Sequence, residues 1–71
     1  MEFKEKLLYA RAKLNISQMD LASKLNVSFS TINRWESGKV SPTKKAEYAF
    51  EIFCKENGIV FDEDLKESNN G

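Results

Sequence analysis

Between Ile16 and Gly38 the chain carries two apolar-periodic segments, each under three turns long, separated only by Asn26-Val27-Ser28. That spacing restricts the fold more than any other feature. Helices this short are marginal in water by themselves, so each must be held by packing. The first has its apolar stripe at Leu21, Ala22 and Leu25, and the second at Ile32 and Trp35. A residue as small as Ala22 suits a place where a neighbouring helix approaches closely.

The punctuation agrees with the periodicity. Ser17-Gln18-Met19-Asp20 is a capping box with Asp in the usual place of Glu. Asn26 ends that helix, because Asn tolerates the left-handed conformation second only to Gly. Ser28 caps the next helix, and Gly38 closes it. The segment thus predicts helices over about 18–25 and 29–37 joined by a turn of three or four residues, the helix-turn-helix layout.

The flanks also read as helix. Phe3, Leu7, Ala10 and Leu14 follow helical spacing, with Leu8 widening the stripe, and predict a helix over about 2–14. Asn15 interrupts it. Pro42 lies just ahead of a helix over about 43–57, with Ala46, Ala49, Phe50 and Phe53 inward and Tyr48 and Ile52 flanking. Tyr48, Ile52 and Ile59-Val60-Phe61 suit the core more readily than a contact between copies, and both readings stay open. Asn57-Gly58 stops the helix, and Ile59-Val60-Phe61 is expected to fold back as an irregular segment. Asp62 to Glu67 could form one turn, and 68–71 a disordered tail. No strand pattern survives. The expected fold is all-α, with four to five helices in a single domain over 1–67.

Charge and composition exclude several functions. The net charge is zero, yet residues 1–46 hold nine Lys or Arg against four acids, and residues 47–71 hold two against seven. One half could face a polyanion that the other half would repel. There is no histidine, so Ser-His and Cys-His catalysis are ruled out. Cys54 stands alone, without a second Cys or a His for zinc and without a disulfide partner, which fits a reducing cytoplasm. Gly38 and Gly58 are isolated and cradle no phosphate. Asp62, Glu63 and Asp64 read as a solvated acidic tail. No apolar run is long enough to span a bilayer, and the amphipathic start of the chain does not suggest a signal peptide. Neither a cofactor, a metal nor a small-molecule substrate is expected.

The segment Phe29–Ser37 is unusual in its outer face. On a helical wheel Ile32 and Trp35 fall on one side, and Ser30, Asn33, Arg34 and Ser37 on the other, with Phe29 at the boundary. A merely solvated helix would favour Glu, Lys, Gln and Ala there. Base edges in the DNA major groove do use Arg, Asn and small hydroxyls: Arg pairs with guanine O6 and N7, and Asn with adenine N6 and N7. Phe29 could touch thymine methyl groups. Ser28 and Gln18, at helix starts, could meet phosphates, and Lys39, Lys44 and Lys45 could hold the backbone.

The stretch "ISQMDLASKLNVSFSTINRWESGK" resembles the lambda-repressor-like, XRE-type helix-turn-helix family. The matching features are Ser17-Gln18, Leu21-Ala22, Leu25, the turn at 26–28, Ile32 and the closing Trp35-Glu36-Ser37-Gly38-Lys39, with Arg11 ahead of Leu14. The likeness covers roughly residues 6–42. It implies sequence-specific binding of double-stranded DNA in a prokaryotic or phage transcriptional regulator, with helix 29–37 in the major groove. It implies phosphate contacts at Gln18 and Ser28, base reading at Phe29, Ser30 and Arg34 with Asn33 beside them, and a structural ion pair between Arg11 and Glu36. It also implies a homodimer. The chain departs from the family at Asn26, where Gly is frequent, at Phe29, where a polar residue is commoner, and in one long helix after Pro42 in place of two short ones. A protein-interaction module on the same fold, with Phe29 as anchor, is the alternative, as is a DNA-targeting domain of a larger protein.

Overall fold

A computed structural model describes residues 1–61. These form four α-helices: α1 (Phe3–Leu14), α2 (Gln18–Leu25), α3 (Phe29–Ser37) and α4 (Lys44–Glu56). No strand occurs among the described residues, and the fold is the small all-α class expected. The expected turn at 62–67 and tail at 68–71 lie outside the described residues.

Each helix begins and ends for a local reason. Glu5 accepts a hydrogen bond from the Glu2 backbone N–H at 2.8 Å, closing the start of α1. The Ser17 hydroxyl accepts from Asp20 N at 3.0 Å while the Asp20 carboxylate accepts from Ser17 N at 3.1 Å, so the capping box is complete in both directions. Ser28 and Thr43 accept from Thr31 N and Ala46 N, each at 3.1 Å, to start α3 and α4. Asn15 (φ 55°) and Asn26 (φ 58°) end α1 and α2 in the left-handed region. At the end of α4 that conformation falls on Gly58 (φ 70°), while Asn57 stays at φ −106° and donates its side-chain amide to Phe53 O at 2.8 Å.

The core is built from Leu7 and Ala10 of α1, Leu21 and Ala22 of α2, Ile32 and Trp35 of α3, and Phe50, Phe53 and Cys54 of α4. Ile59 and Phe61 complete it from the segment after α4. A ladder of rings runs through it: Trp35 meets Phe3 edge-on at 5.4 Å, Phe3 meets Phe50 at 5.4 Å, and Phe50 faces both Phe53 and Phe61 at 6.4 Å. Helix α3 packs against both α1 and α2, so its buried edge is held from two sides.

Four expectations about apolar residues need correction. Leu8 does not widen the α1 stripe; it is 46% exposed, because it lies more than a quarter turn from the line through Phe3, Leu7, Ala10 and Leu14. Ala49 is exposed, and Cys54 takes the inner place, since the stripe of α4 runs Ala46, Phe50, Phe53, Cys54 and leaves Ala49 about a quarter turn aside. Tyr48 (65% exposed) and Ile52 stand in solvent rather than in the core. The segment 59–61 alternates, with Ile59 and Phe61 inward and Val60 outward.

Gly38 is the one glycine that positions the site. It ends α3 at φ +79°, and a β-carbon there would lie 3.4 Å from Cδ and Nζ of Lys4, whose flexible chain can yield. Steric room is therefore the smaller issue, and the left-handed backbone the larger. Gly38→Ala is expected to cost about 1–2 kcal/mol, read as a lowered midpoint in urea unfolding with an unchanged slope.

Candidate nucleic-acid interface

The outer face of α3 is set by what its inner face must do. Ile32 and Trp35 are buried, so the 3.6-residue repeat turns Ser30, Asn33, Arg34 and Ser37 to solvent, and all four are exposed. Ser37 Oγ donates to Arg34 O at 2.9 Å and Lys39 N donates to the same carbonyl at 3.1 Å, closing the last turn. The Arg34 guanidinium has no side-chain partner among the described residues. Phe29 opens the helix with 49% of its surface exposed. Ser28 is exposed, but its hydroxyl is already engaged: besides capping Thr31 N it lies 3.1 Å from Ser30 Oγ and 2.8 Å from Thr31 Oγ1. Lys39 and Lys44 are exposed beyond the helix.

Behind this face lies a polar cluster that ties three helices together. Arg11 of α1 donates from Nε to Glu36 Oε2 at 2.8 Å and from Nη2 to Glu36 Oε1 at 2.9 Å, a two-point fork. Its Nη1 also reaches Ile16 O at 3.3 Å, across the turn into α2. The Glu36 side chain is only 6% exposed. Burial pushes its carboxyl upward, but the hydrogen bonds from Arg11 and Gln18 and the Arg11 charge outweigh this and hold it below the ordinary glutamate range. The negative charge of α3 is thereby neutralised internally, and Arg34 remains as its outward charge.

Gln18 is where the structure differs most from a simple phosphate contact. It is half-buried, and its Nε2 donates to Glu36 Oε1 at 2.8 Å. Its Oε1 accepts from Asn33 Nδ2 at 3.5 Å. The first residue of α2 is therefore linked to the middle and the end of α3. No signal in the sequence marks these bonds, because they join residues 18 and 15 positions apart through the crossing of two helices. The position of Lys4 beside Gly38 is likewise a tertiary result that helical spacing does not reveal. Of the remaining residues singled out from the sequence, Ala22, Ile32 and Trp35 lie in the core under the site, and Ala22 O accepts from Val27 N at 2.9 Å in the turn itself.

Among the described residues, no group of His, Cys, Asp and Glu could hold a metal ion, and no helix is long and apolar enough to cross a membrane. The exposed face offers one mobile-stemmed cation, an amide, small hydroxyls and one aromatic ring. Such a surface can form directional hydrogen bonds and apolar contacts with a rigid polar edge.

A family model described as helix-turn-helix matches residues 7–46. The "HTH-type transcriptional activator BcrR" of Enterococcus faecalis is 46% identical over 46 residues, which are 65% of this chain and 22% of that protein. An "uncharacterized HTH-type transcriptional regulator" of Methanocaldococcus jannaschii is 46% identical over 50 residues, which are 70% of this chain and 76% of that protein. The chain thus spans about a fifth of the first relative and three quarters of the second. No solved structure matches it.

Proposed function

Since the chain belongs to the XRE-type helix-turn-helix family, we propose that it is a DNA-binding regulator of transcription that lays α3 in the major groove and reads base edges there. The observation that carries this reading is the exposed Arg34, without a side-chain partner among the described residues, beside Asn33 and Ser30 on a helix whose opposite edge is locked by Ile32 and Trp35. Arg34 is assigned a guanine edge, Ser30 a close polar contact, and Phe29 the methyl group of thymine. Ser28, Lys39 and Lys44 are assigned to the phosphates, where they set register and contribute affinity without sequence information, while Gln18, whose amide is engaged by Glu36 and Asn33, braces α2 against α3 instead of taking the phosphate contact expected of it. The protein acts by binding rather than by catalysis, in the cytoplasm where its target lies.

One nine-residue helix reads few base pairs, so the protein is proposed to act as a symmetric pair on half-sites about 34 Å apart. The exposed Tyr48 and Ile52 of α4 and Val60 just after it are proposed as apolar residues for contact between copies.

The test is a selection from randomised duplex DNA, followed by anisotropy titration of the winning sequence at two salt concentrations. An enriched, symmetric motif with steep salt dependence is expected, because phosphate contacts release counterions. Arg34→Ala should flatten one base position and cost about 1–3 kcal/mol, whereas Lys44→Ala should weaken all sequences alike and lower the salt slope by about 1. The exposure of Phe29 favours a second reading, a protein-binding surface on the same fold. Absence of any enriched motif, with binding no tighter than the nonspecific range of about 10⁻⁴ to 10⁻⁶ M, would favour that reading instead.

A further inference from the structure

The polar cluster behind α3 does more than brace the fold. We infer that Asn33 reads adenine, and that Gln18, held in one orientation by Glu36, is the positioning residue that sets the Asn33 amide for it. This rests on the base-reading role proposed for α3.

The orientation follows from donors and acceptors. An ionised carboxylate can only accept. Glu36 spends its oxygens on Arg11 Nε, Arg11 Nη2 and Gln18 Nε2. The amide nitrogen of Gln18, and not its carbonyl, must therefore face Glu36. That turns Gln18 Oε1 toward Asn33, where it accepts from Nδ2 at 3.5 Å. A carbonyl cannot meet a carbonyl, so Asn33 Oδ1 is turned away from Gln18. The two ends of an amide are ordinarily interchangeable. Here a buried negative charge two residues removed along the bond chain decides which end points where.

What remains of Asn33 is one N–H and Oδ1, on an exposed side chain beside Arg34. Adenine offers an acceptor at N7 and a donor at N6, which this pair can satisfy together. Guanine offers acceptors at both N7 and O6, and would set O6 against Oδ1. Cytosine and thymine each offer a single polar group to match. The link at 3.5 Å is long, so it biases the amide rather than clamping it, and the contribution of Gln18 should be smaller than that of Asn33 itself.

The experiment uses the full chain and the same duplex selection, with each base of the winning site then varied in turn. The variants are Asn33→Ala, Gln18→Lys and Gln18→Met, each checked for an intact helical fold by thermal melting. Lysine at position 18 still donates to Glu36 and adds a charge near the phosphates, but it cannot accept from Asn33. The wild-type motif should hold an A·T pair whose preference falls about tenfold or more in Asn33→Ala. Gln18→Lys should lower preference at that same pair severalfold while overall affinity holds or rises, and Gln18→Met should lower both. If Gln18→Lys tightens binding and leaves that pair's preference intact, Gln18 is a phosphate contact and the positioning role is overturned. If Asn33→Ala flattens a G·C pair, or no pair, the adenine assignment is overturned while base reading by α3 stands. A wild-type protein that enriches no motif would overturn both together.

Discussion

Replacing Phe50 by alanine is expected to destabilise the domain by about 3–5 kcal/mol, the range for a buried phenylalanine whose cavity cannot collapse. Phe50 is nearly fully buried, and its ring is shared by three others: Phe3 on α1, Phe53 on its own helix and Phe61 on the returning segment. Its removal would leave α4 and the 59–61 segment without their common contact. A chain of 71 residues has about 4–10 kcal/mol of stability in all, so roughly a third of it or more is at stake. Urea unfolding should show the midpoint collapse, and at 37 °C a substantial fraction of the protein should be unfolded. A loss under 1 kcal/mol would mean that the rings close over the gap and that the ladder is not the centre of the core.

The second large effect is expected at Arg11. Arg11→Met keeps the length and apolar stem of the side chain but removes the fork to Glu36 and the bond to Ile16 O. A carboxylate that is 6% exposed would be left with Gln18 alone. Breaking one partner of a shielded pair costs on the order of 3 kcal/mol, most of it the burial of an uncompensated charge. The double variant Arg11→Met/Glu36→Met should therefore recover much of the loss, which a double-mutant cycle would measure.

The same pair sets a pH dependence with a definite sign. The Glu36 carboxyl is held below its ordinary range in the folded protein. Its contribution is complete above the unfolded value and is lost as pH falls through the folded one. Thermal midpoints of the wild type should fall as pH drops from about 5 downward. In Arg11→Met the slope over that window should be shallower, because protonating Glu36 then relieves a buried charge instead of breaking a bond. An unchanged slope would show that other carboxylates govern the acid limb.

The helices were legible because their signals are local. Ser17 and Asp20, Asn26, Ser28 and Gly38 act within one turn of where they stand, and each adopts the conformation its chemistry favours. The apolar stripes were legible for the same reason, except at their margins. Leu8 and Ala49 failed as core residues because they lie about a quarter turn or more from the line of their helix's stripe, and how far a stripe widens depends on what packs opposite.

The sequence by itself determined four helical segments, their caps, and an outward face of Ser30, Asn33 and Arg34, since periodicity and capping operate over three or four residues. Only the tertiary structure decided what stands behind that face. The pairing of Glu36 with Arg11 was expected from the family resemblance and is found, but spacing alone would let Glu36 meet any cation of the basic half; the crossing of α1 and α3 brings Arg11 to it from 25 residues away. Gln18 could have pointed wholly to solvent; the crossing of α2 and α3 gives its amide to Glu36 and Asn33. Hydrogen bonds between side chains depend on which turns of which helices touch, and that is a property of packing angles rather than of spacing along the chain.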